Sequence, residues 1–528
     1  MFIFSPLGHG VRAATMQRRQ FLGAAAAAMA VLPARRIWAD APATGVPASI
    51  VAVGTTGAPV TLSAADLRDF RSSLHGQLLL AQDAGYEQAR KIWNGAFDRH
   101  PALIARCTGT ADVVQAVNFA RSHALLCAVR GGGHSISGQS ACDGGLMIDL
   151  ALMKQIDIDR EHRIARVQPG VLLGELDGKA QSAGLVTPLG TASDTGIAGL
   201  TLGGGQGRLM RKLGLSCDNV RAFEIVTADG TRRDVSAQQN ADLYWALRGG
   251  GGNFGVVTRF DYDLHPLDHP VLAGSLVYPF SQARTVLEAV RDIAANAPDE
   301  LYVEGGVFNE APSPTNTAPG AAMPPGHYVA IEAVYSGKPA DGERVIAPLT
   351  KLGKPVAGAY TAKRYVDAQN GFTGASPPAL PPGLGVYVKS GFTRDFSDKL
   401  LADIIHGVEN GPEWLDSIGL GLCNGAVSRV KPTATAYWNR DAQWDLLMAG
   451  AWIDHTQDQK NAAALRDLWK MFEPYTKGYY VNTEPSAEEQ RLRETYGDNY
   501  ARLVQLKTKY DPSNLFHLNA NIKPAAAA

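Results

Sequence analysis

The run ADVVQAVNFARSHA (111–124) sets Val113, Val114, Val117 and Phe119–Ala120 at helical spacing, and helical spacing also marks the stretch around Leu62–Leu80. Two short apolar runs follow the first of these, LLCAV (125–129) and LMIDL (146–150), and read as strands on either side of a glycine-rich loop. QIDIDREHRIARVQPG (155–170) and EIVTADGTRRDVS (224–236) alternate apolar and polar positions on both sides of a charged turn, the second with Asp229-Gly230 at its tip. Each predicts a β-hairpin. ADLYWALR (241–248) reads as a helix and GVVTRFDYDL (255–264) as a strand. The first half therefore mixes strands and helices without the long βαβ rhythm of a Rossmann unit.

From about residue 269 the texture changes. Two proline-rich loops (311–326 and 374–385) separate strand-like YVAIEAVY (328–335) and GVYVKSGF (385–392), and GAVSRV (425–430) and TATAYWNR (433–440) read as two more strands. Helical stretches at 395–408 and 459–472 alternate with them, which predicts a second α+β domain laid over the first. The end of the chain (499–522) reads as a helix stopped by Asp511-Pro512 and then a polar strand. With 528 residues the chain exceeds the roughly 250–300 residues at which single cores stop growing.

Charge narrows the partners. Fifty basic and 51 acidic residues give a net charge of −1, which makes no electrostatic case for nucleic acid or an anionic membrane and favours a small organic substrate. Five cysteines (Cys107, Cys127, Cys142, Cys217, Cys423) without a CxxC pair point to buried thiols and to no metal site. From Met16 the sequence MQRRQFLGAAAAAMAVLPARRIWADAPA has the basic pair Arg18-Arg19, a short alanine-rich apolar core and small residues at Ala39 and Ala41. Residues 1–41 are expected to be a removable export signal resembling the twin-arginine type, with the twin-arginine machinery as a partner and no membrane attachment after cleavage. The expected location is periplasmic or secreted.

The 56 glycines exceed the usual share, and much of the excess sits in clusters at 131–133, 144–145, 203–207 and 249–252. Bare backbone lets N–H groups approach an anion, and several clusters suit a phosphate-bearing cofactor longer than a mononucleotide. Gly250–Gly255 satisfies GxGxxG but follows a helix and precedes a strand, the reverse of the dinucleotide fingerprint. Within RGGGHSISGQSACDGG (130–145) stands one imidazole, His134, able to act as a nucleophile when neutral.

Arg130–His134, GLMIDLALM (145–153), TPLGTASDTGIAGLTLGGGQGRLMRKLGLSCDNV (187–220), DLYWALRGGGGNFGVVTRF (242–260) and YGDNYARLVQLKTKYDPSNLFHLNANI (496–522) resemble the berberine-bridge-enzyme-like FAD-linked oxidases of the vanillyl-alcohol-oxidase superfamily. The resemblance runs from about Tyr86 to Pro524. It implies an α+β, two-domain PCMH-type FAD-binding fold, with an FAD domain of residues 60–268 completed by 485–524 and an α+β substrate cap of residues 269–484. It further implies FAD bonded covalently through His134, with Arg130, Gly131, Gly132, Gly133, Ser135 and Gly138 around it. Thr195, Gly199, Gly203, Gly204 and Gly205 fall in the second cofactor segment, Gly255, Val256 and Val257 in the third, and Asn519 and Asn521 in the last.

Many relatives add a second bond from a cysteine, whose place Ala192 takes here, so a single linkage is expected. Cys217 lies far downstream and reads as a packing thiol. Thr195 matches the position that admits oxygen. Relatives use tyrosines in a Tyr-x-Asn-Tyr segment; Tyr480-Val481-Asn482-Thr483 keeps the first, so Tyr480 is a candidate catalytic base, with Asn439 as a polar group over the flavin and Arg440 either beside it or in a structural salt bridge. The implied reaction is hydride abstraction from an alcohol carbon with reoxidation by O2 to H2O2. The alternatives are a dehydrogenase using a periplasmic acceptor, CH–NH oxidation of an amine or alkaloid, and a flavin-bearing binding protein without turnover.

Overall fold

The computed structural model describes residues 46–310, 324–369, 383–484 and 488–526. The export-signal expectation and most of both proline-rich loops lie outside them. A four-stranded sheet has the order Gln77–Leu79, Leu103–Arg106, Leu146–Asp149, Cys127–Arg130, the first pair antiparallel and the others parallel. Parallel strands need a crossover. The helix Thr110–Ser122 provides it, burying Val113, Ala116, Val117 and Ala120. All four residues of Leu146–Asp149 are buried, as a central parallel strand covered on both faces requires.

Beside it lies a five-stranded antiparallel sheet containing both predicted hairpins, in the order Arg232–Ser236, Val220–Thr227, Gly255–Asp263, Ile164–Val167, Ile156–Asp159. A third, seven-stranded antiparallel sheet is drawn wholly from strands between Val271 and Trp452. Strand alternation sorts its faces. Val303, Ile331, Ile418, Leu420, Leu446 and Met448 pack with Val286, Leu287 and Ile404 of the helices Ala283–Ala295 and Asp398–Glu409. The opposite face, which carries Ser275, Tyr302, Glu304, Glu332 and Asp445, fronts a cavity.

Four expected elements differ. The helix near residue 62 spans only Ala64–Ser73, capped by Ser63 and Asp66, and the chain then joins the sheet as Gln77–Leu79. GAVSRV contains a short helix, Ala426–Arg429. TATAYWNR is no strand: its backbone bonds outside any sheet, Ala436 N–H to the Trp245 carbonyl and Tyr437 N–H to that of Arg248, and the Asn499 amide donates to the carbonyls of Pro432 and Thr435. After the helix Asn499–Tyr510 the expected polar strand is replaced by a turn in which the Asp511 carboxylate accepts from the N–H groups of Leu515 and Phe516. Side chains and loops satisfy these backbones, and hydrophobic alternation cannot register that.

Candidate functional site

Strand Cys127–Arg130 delivers the chain into Gly131–His134. A Cβ on Gly132 would stand 2.5 Å from the Gly196 Cα, so two backbones touch here and bring the 131–134 loop against residues 191–196. Gly133 has φ +78, a left-handed conformation that favours glycine. The contact sets His134 beside Asp194, with Nε2 3.5 Å from Oδ1, and the imidazole stacks on Trp93 with centroids 4.2 Å apart. Burial raises the Asp194 carboxyl, but the hydrogen bond and charge of His134 outweigh it and hold the group below its usual value. Arg130 sits beneath the loop, bonded to the Ala89 carbonyl and 3.4 Å from Asp149, and does not line the cavity.

The cavity measures about 530 Å³. Its floor comes from Gly131–Ser135, Thr191–Gly199, Gly255, Val257 and Asn519, and its ceiling from the polar face of the seven-stranded sheet. Among the described residues the backbone N–H groups of Gly132, Gly133, His134 and Ser135 donate to no protein acceptor. A Cβ on Gly199 would meet nothing within 4 Å, and Asn519 Oδ1 is buried without a partner while its amide N–H donates to the Phe516 carbonyl. Open N–H groups for phosphates and an orphan acceptor for a ring N–H fit FAD. Ala192 lines the same floor and cannot form a thioether; Cys217 is fully buried elsewhere, its thiol pushed far up by burial.

Other expected contacts fall outside the lining. Cβ atoms on Gly203, Gly204 and Gly205 would strike Asn482, the Tyr437 ring and Ser216, so these glycines admit neighbouring side chains and leave the cavity to Leu202 and Gln206. Gly138 turns against the Phe97 ring. Val256 points into the core beneath the four-stranded sheet while its neighbour Val257 faces the cavity. Asn521 is not in the lining, and its Oδ1 is buried without a partner. Asn439 is not over the cavity: its amide donates to the Thr495 carbonyl at 3.0 Å. Arg440 makes the structural salt bridge, bidentate on Asp218 at 2.6 and 2.7 Å. Asn439→Ala is accordingly expected to lower stability by about 1 kcal/mol, the worth of one hydrogen bond, in urea unfolding, with FAD content and turnover unchanged.

Tyr480 does line the cavity. Its phenol oxygen accepts from the Gly205 and Gln206 N–H groups at 3.1 and 3.3 Å and from Asn482 Nδ2 at 2.8 Å. Burial pushes the phenol to about 12 although all three donors pull it down. Tyr480 therefore keeps its proton at neutral pH, and because these neighbours only donate, the O–H remains for a group in the cavity. Thr483, where relatives have a second tyrosine, is buried and donates to the Tyr480 carbonyl at 2.6 Å.

Sequence reasoning passed over Trp93, Asp194 and the ceiling carboxylates Glu304, Glu332 and Asp445. The signal for the last three is a lone acid inside an apolar strand: LYVEGGVF, YVAIEAVY and WDLLMAGAW. Acids are seldom buried without a partner or a task. Glu332 has Arg208, whose Nε lies 2.6 Å from Oε1.

A family model described as an FAD binding domain matches residues 101–236, and one described as berberine and berberine like matches residues 479–523. An FAD-linked oxidoreductase of Dictyostelium discoideum is 32% identical over 464 residues, covering 87% of this chain and 97% of that one. The (R)-6-hydroxynicotine oxidase of Paenarthrobacter nicotinovorans is 30% identical over 470 residues, covering 86% and 97%. Among solved structures, 6-hydroxy-D-nicotine oxidase from Arthrobacter nicotinovorans superimposes with a TM-score of 0.75 at 28% identity over 86% of this chain and 99% of that one. The BBE-like 1 protein of Physcomitrella patens shares the fold, with a TM-score of 0.77 at 23% identity over 87% and 100%.

Proposed function

This chain belongs to the berberine-like family of FAD-linked oxidoreductases and is an FAD-dependent enzyme with the PCMH-type α+β fold, and from that premise we propose that it holds FAD by a single covalent bond at His134 and oxidises a small organic substrate at a carbon bearing a hydroxyl or amino group, with O2 as the acceptor and H2O2 as the product. The observation that carries the reading is His134 itself: one imidazole on the cavity floor, clamped between Trp93 and an ionised Asp194, in a loop whose N–H groups stand open.

Bound FAD supplies the acceptor for the two electrons of the substrate C–H bond. The open N–H groups of Gly132 to Ser135 would hold its phosphates, and Asn519 Oδ1 would accept from its ring. Tyr480, fixed by three donors, presents its O–H to the substrate heteroatom and so orients the reacting carbon. The polar face of the seven-stranded sheet lies over the cavity. Thr195 on the floor leaves the small side chain that suits access by oxygen, and the name of the hydroxynicotine relative supports an oxidase. Arg18-Arg19 and the apolar core after it support export of the folded, FAD-loaded protein to the periplasm or medium.

Tyr480→Phe is expected to keep its full complement of FAD and lose kcat/KM by roughly twofold to tenfold, since one neutral hydrogen bond is worth about 0.5–1.5 kcal/mol. Turnover is tested by adding alcohols and amines to the holoenzyme under air and without it. Bleaching of the flavin without air, with H2O2 formed stoichiometrically on admitting O2, is the expected result. Bleaching that persists in air would replace the oxidase by a dehydrogenase, and no bleaching by any donor would leave a binding protein.

A further inference from the structure

Two buried carboxamides join the ceiling to the two loops that meet at His134. Asn94 is fully buried, and its side chain fills all four of its hydrogen-bonding places. Nδ2 donates to the carbonyls of Ile136 at 2.6 Å and Val386 at 2.8 Å, while Oδ1 accepts from the N–H groups of Val386 at 2.9 Å and Ala96 at 3.1 Å. Val386 lies on Gly385–Thr393, the edge strand of the seven-stranded sheet. An edge leaves N–H and C=O groups unpaired, and Asn94 takes one of each. The backbone beside it repeats the link, Trp93 N–H to the Gly133 carbonyl and Gly95 N–H to that of Leu384. The 131–136 loop is thus tied to the ceiling through the residue next to the ring that stacks on His134.

Gln369 serves the other loop. It ends the short helix Tyr365–Gln369, which lies in sequence between the strands Ala357–Lys363 and Gly385–Thr393 of the ceiling sheet, and it is buried. Its Nε2 donates to the Gly190 carbonyl at 2.6 Å and lies 3.4 Å from Asp177 Oδ2, its Oε1 accepts from Arg208 Nη1 at 2.8 Å, and its backbone carbonyl accepts from the Ser193 hydroxyl at 3.0 Å. The same Arg208 nitrogen donates to the Thr191 carbonyl at 2.9 Å, and Arg208 Nε reaches Glu332 on the ceiling. Residues 190, 191 and 193 are all held from the ceiling side, and Asp194 comes next.

We propose that Asn94 and Gln369 are positioning residues for the attachment of FAD: each fixes one loop to the ceiling, and together they keep His134 opposed to Asp194. The inference rests on the reading that His134 bonds the flavin. That bond joins a ring nitrogen of His134 to a flavin methyl carbon, with one N–H and one C–H broken; the two electrons pass through the flavin to O2, which leaves with both protons as H2O2. Neither carboxamide exchanges a proton or an electron in this step. Both act through the loops, where a misplacement of about 1 Å can cost roughly a hundredfold in rate.

The test supplies FAD, in air, to flavin-free full-length chains from a riboflavin-starved host and follows by acid precipitation how fast flavin becomes acid-stable. Asn94→Ala and Gln369→Ala should each attach FAD slower than wild type by on the order of tenfold or more. Asn439→Ala, which loses a buried amide hydrogen bond away from both loops, is the control for lost stability and should attach at the wild-type rate. Chains are compared at temperatures equally far below their melts. Attachment by either carboxamide variant at the rate of Asn439→Ala would overturn the proposal. If either variant fails to fold, Ser193→Ala decides: it removes the bond to the Gln369 carbonyl and leaves both carboxamides, and it should slow attachment in the same direction, whereas the wild-type rate would overturn the proposal. A wild-type chain whose flavin never becomes acid-stable would instead contradict the His134 reading. The affinity of the same variants for reversibly bound FAD would then decide the positioning role separately, weaker binding than by Asn439→Ala supporting it and equal binding overturning it.

Discussion

His134→Ala is expected to yield a folded protein from which acid releases all of its flavin. The substitution removes the nucleophile and the stack on Trp93, whose loss costs about 0.5–1.5 kcal/mol, too little to unfold a domain of this size. The N–H groups of Gly132, Gly133 and Ser135 and the Asn519 acceptor remain, so FAD still binds reversibly and leaves on denaturation. Acid precipitation followed by flavin fluorescence of pellet and supernatant measures this directly. Turnover is expected to fall with it, because Asp194 loses the imidazole that holds it and the loop loses its anchor to the cofactor. Flavin that stays in the acid pellet of this variant would move the attachment elsewhere.

The second large effect is expected at Gly132. An added Cβ 2.5 Å from the Gly196 Cα and 2.8 Å from its nitrogen meets backbone on the other side, so no rotamer change relieves it. The 131–134 and 191–196 loops must separate, at a cost of about 1–3 kcal/mol for overpacking. The more telling consequence is functional: His134 parts from Asp194 and both halves of the floor shift, so Gly132→Ala should be purified with little or no FAD. Gly199→Ala is the contrasting substitution. Its Cβ meets no protein atom within 4 Å, so the fold should melt as the wild type does, and any loss of FAD reports the ligand alone. Thermal melts of the flavin-free chains, set beside flavin content after purification, separate the two cases.

The strong periodicities carried most of the fold. Both hairpins, the helix after residue 110 and the long C-terminal helix are where apolar spacing and turn chemistry put them. The 433–440 segment failed because its alternation of Thr, Ala, Tyr and Arg arises from loop anchoring, with Tyr437 packed on Gly204 and Arg440 on Asp218. The same rerouting removed Asn439 from the cavity. The glycine clusters were legible as close approaches, but letters do not say what approaches: at Gly132 it is another backbone, at Gly203–Gly205 it is side chains. Trp93 and Asp194 were illegible because their meeting with His134 depends on contacts across 41 and 60 residues of chain. The ceiling carboxylates could have been found from a lone acid in each apolar strand, since an acid in a buried strand calls for a partner or a task.

The central claim is that one imidazole fastens FAD to this chain. The most direct measurement is mass spectrometry of the proteolysed, acid-precipitated wild-type protein: the peptide containing His134 should carry the mass of one FAD, with fragmentation placing it on the histidine and no other peptide modified. An unmodified His134 peptide, with the yellow colour left in the acid supernatant, would contradict the account.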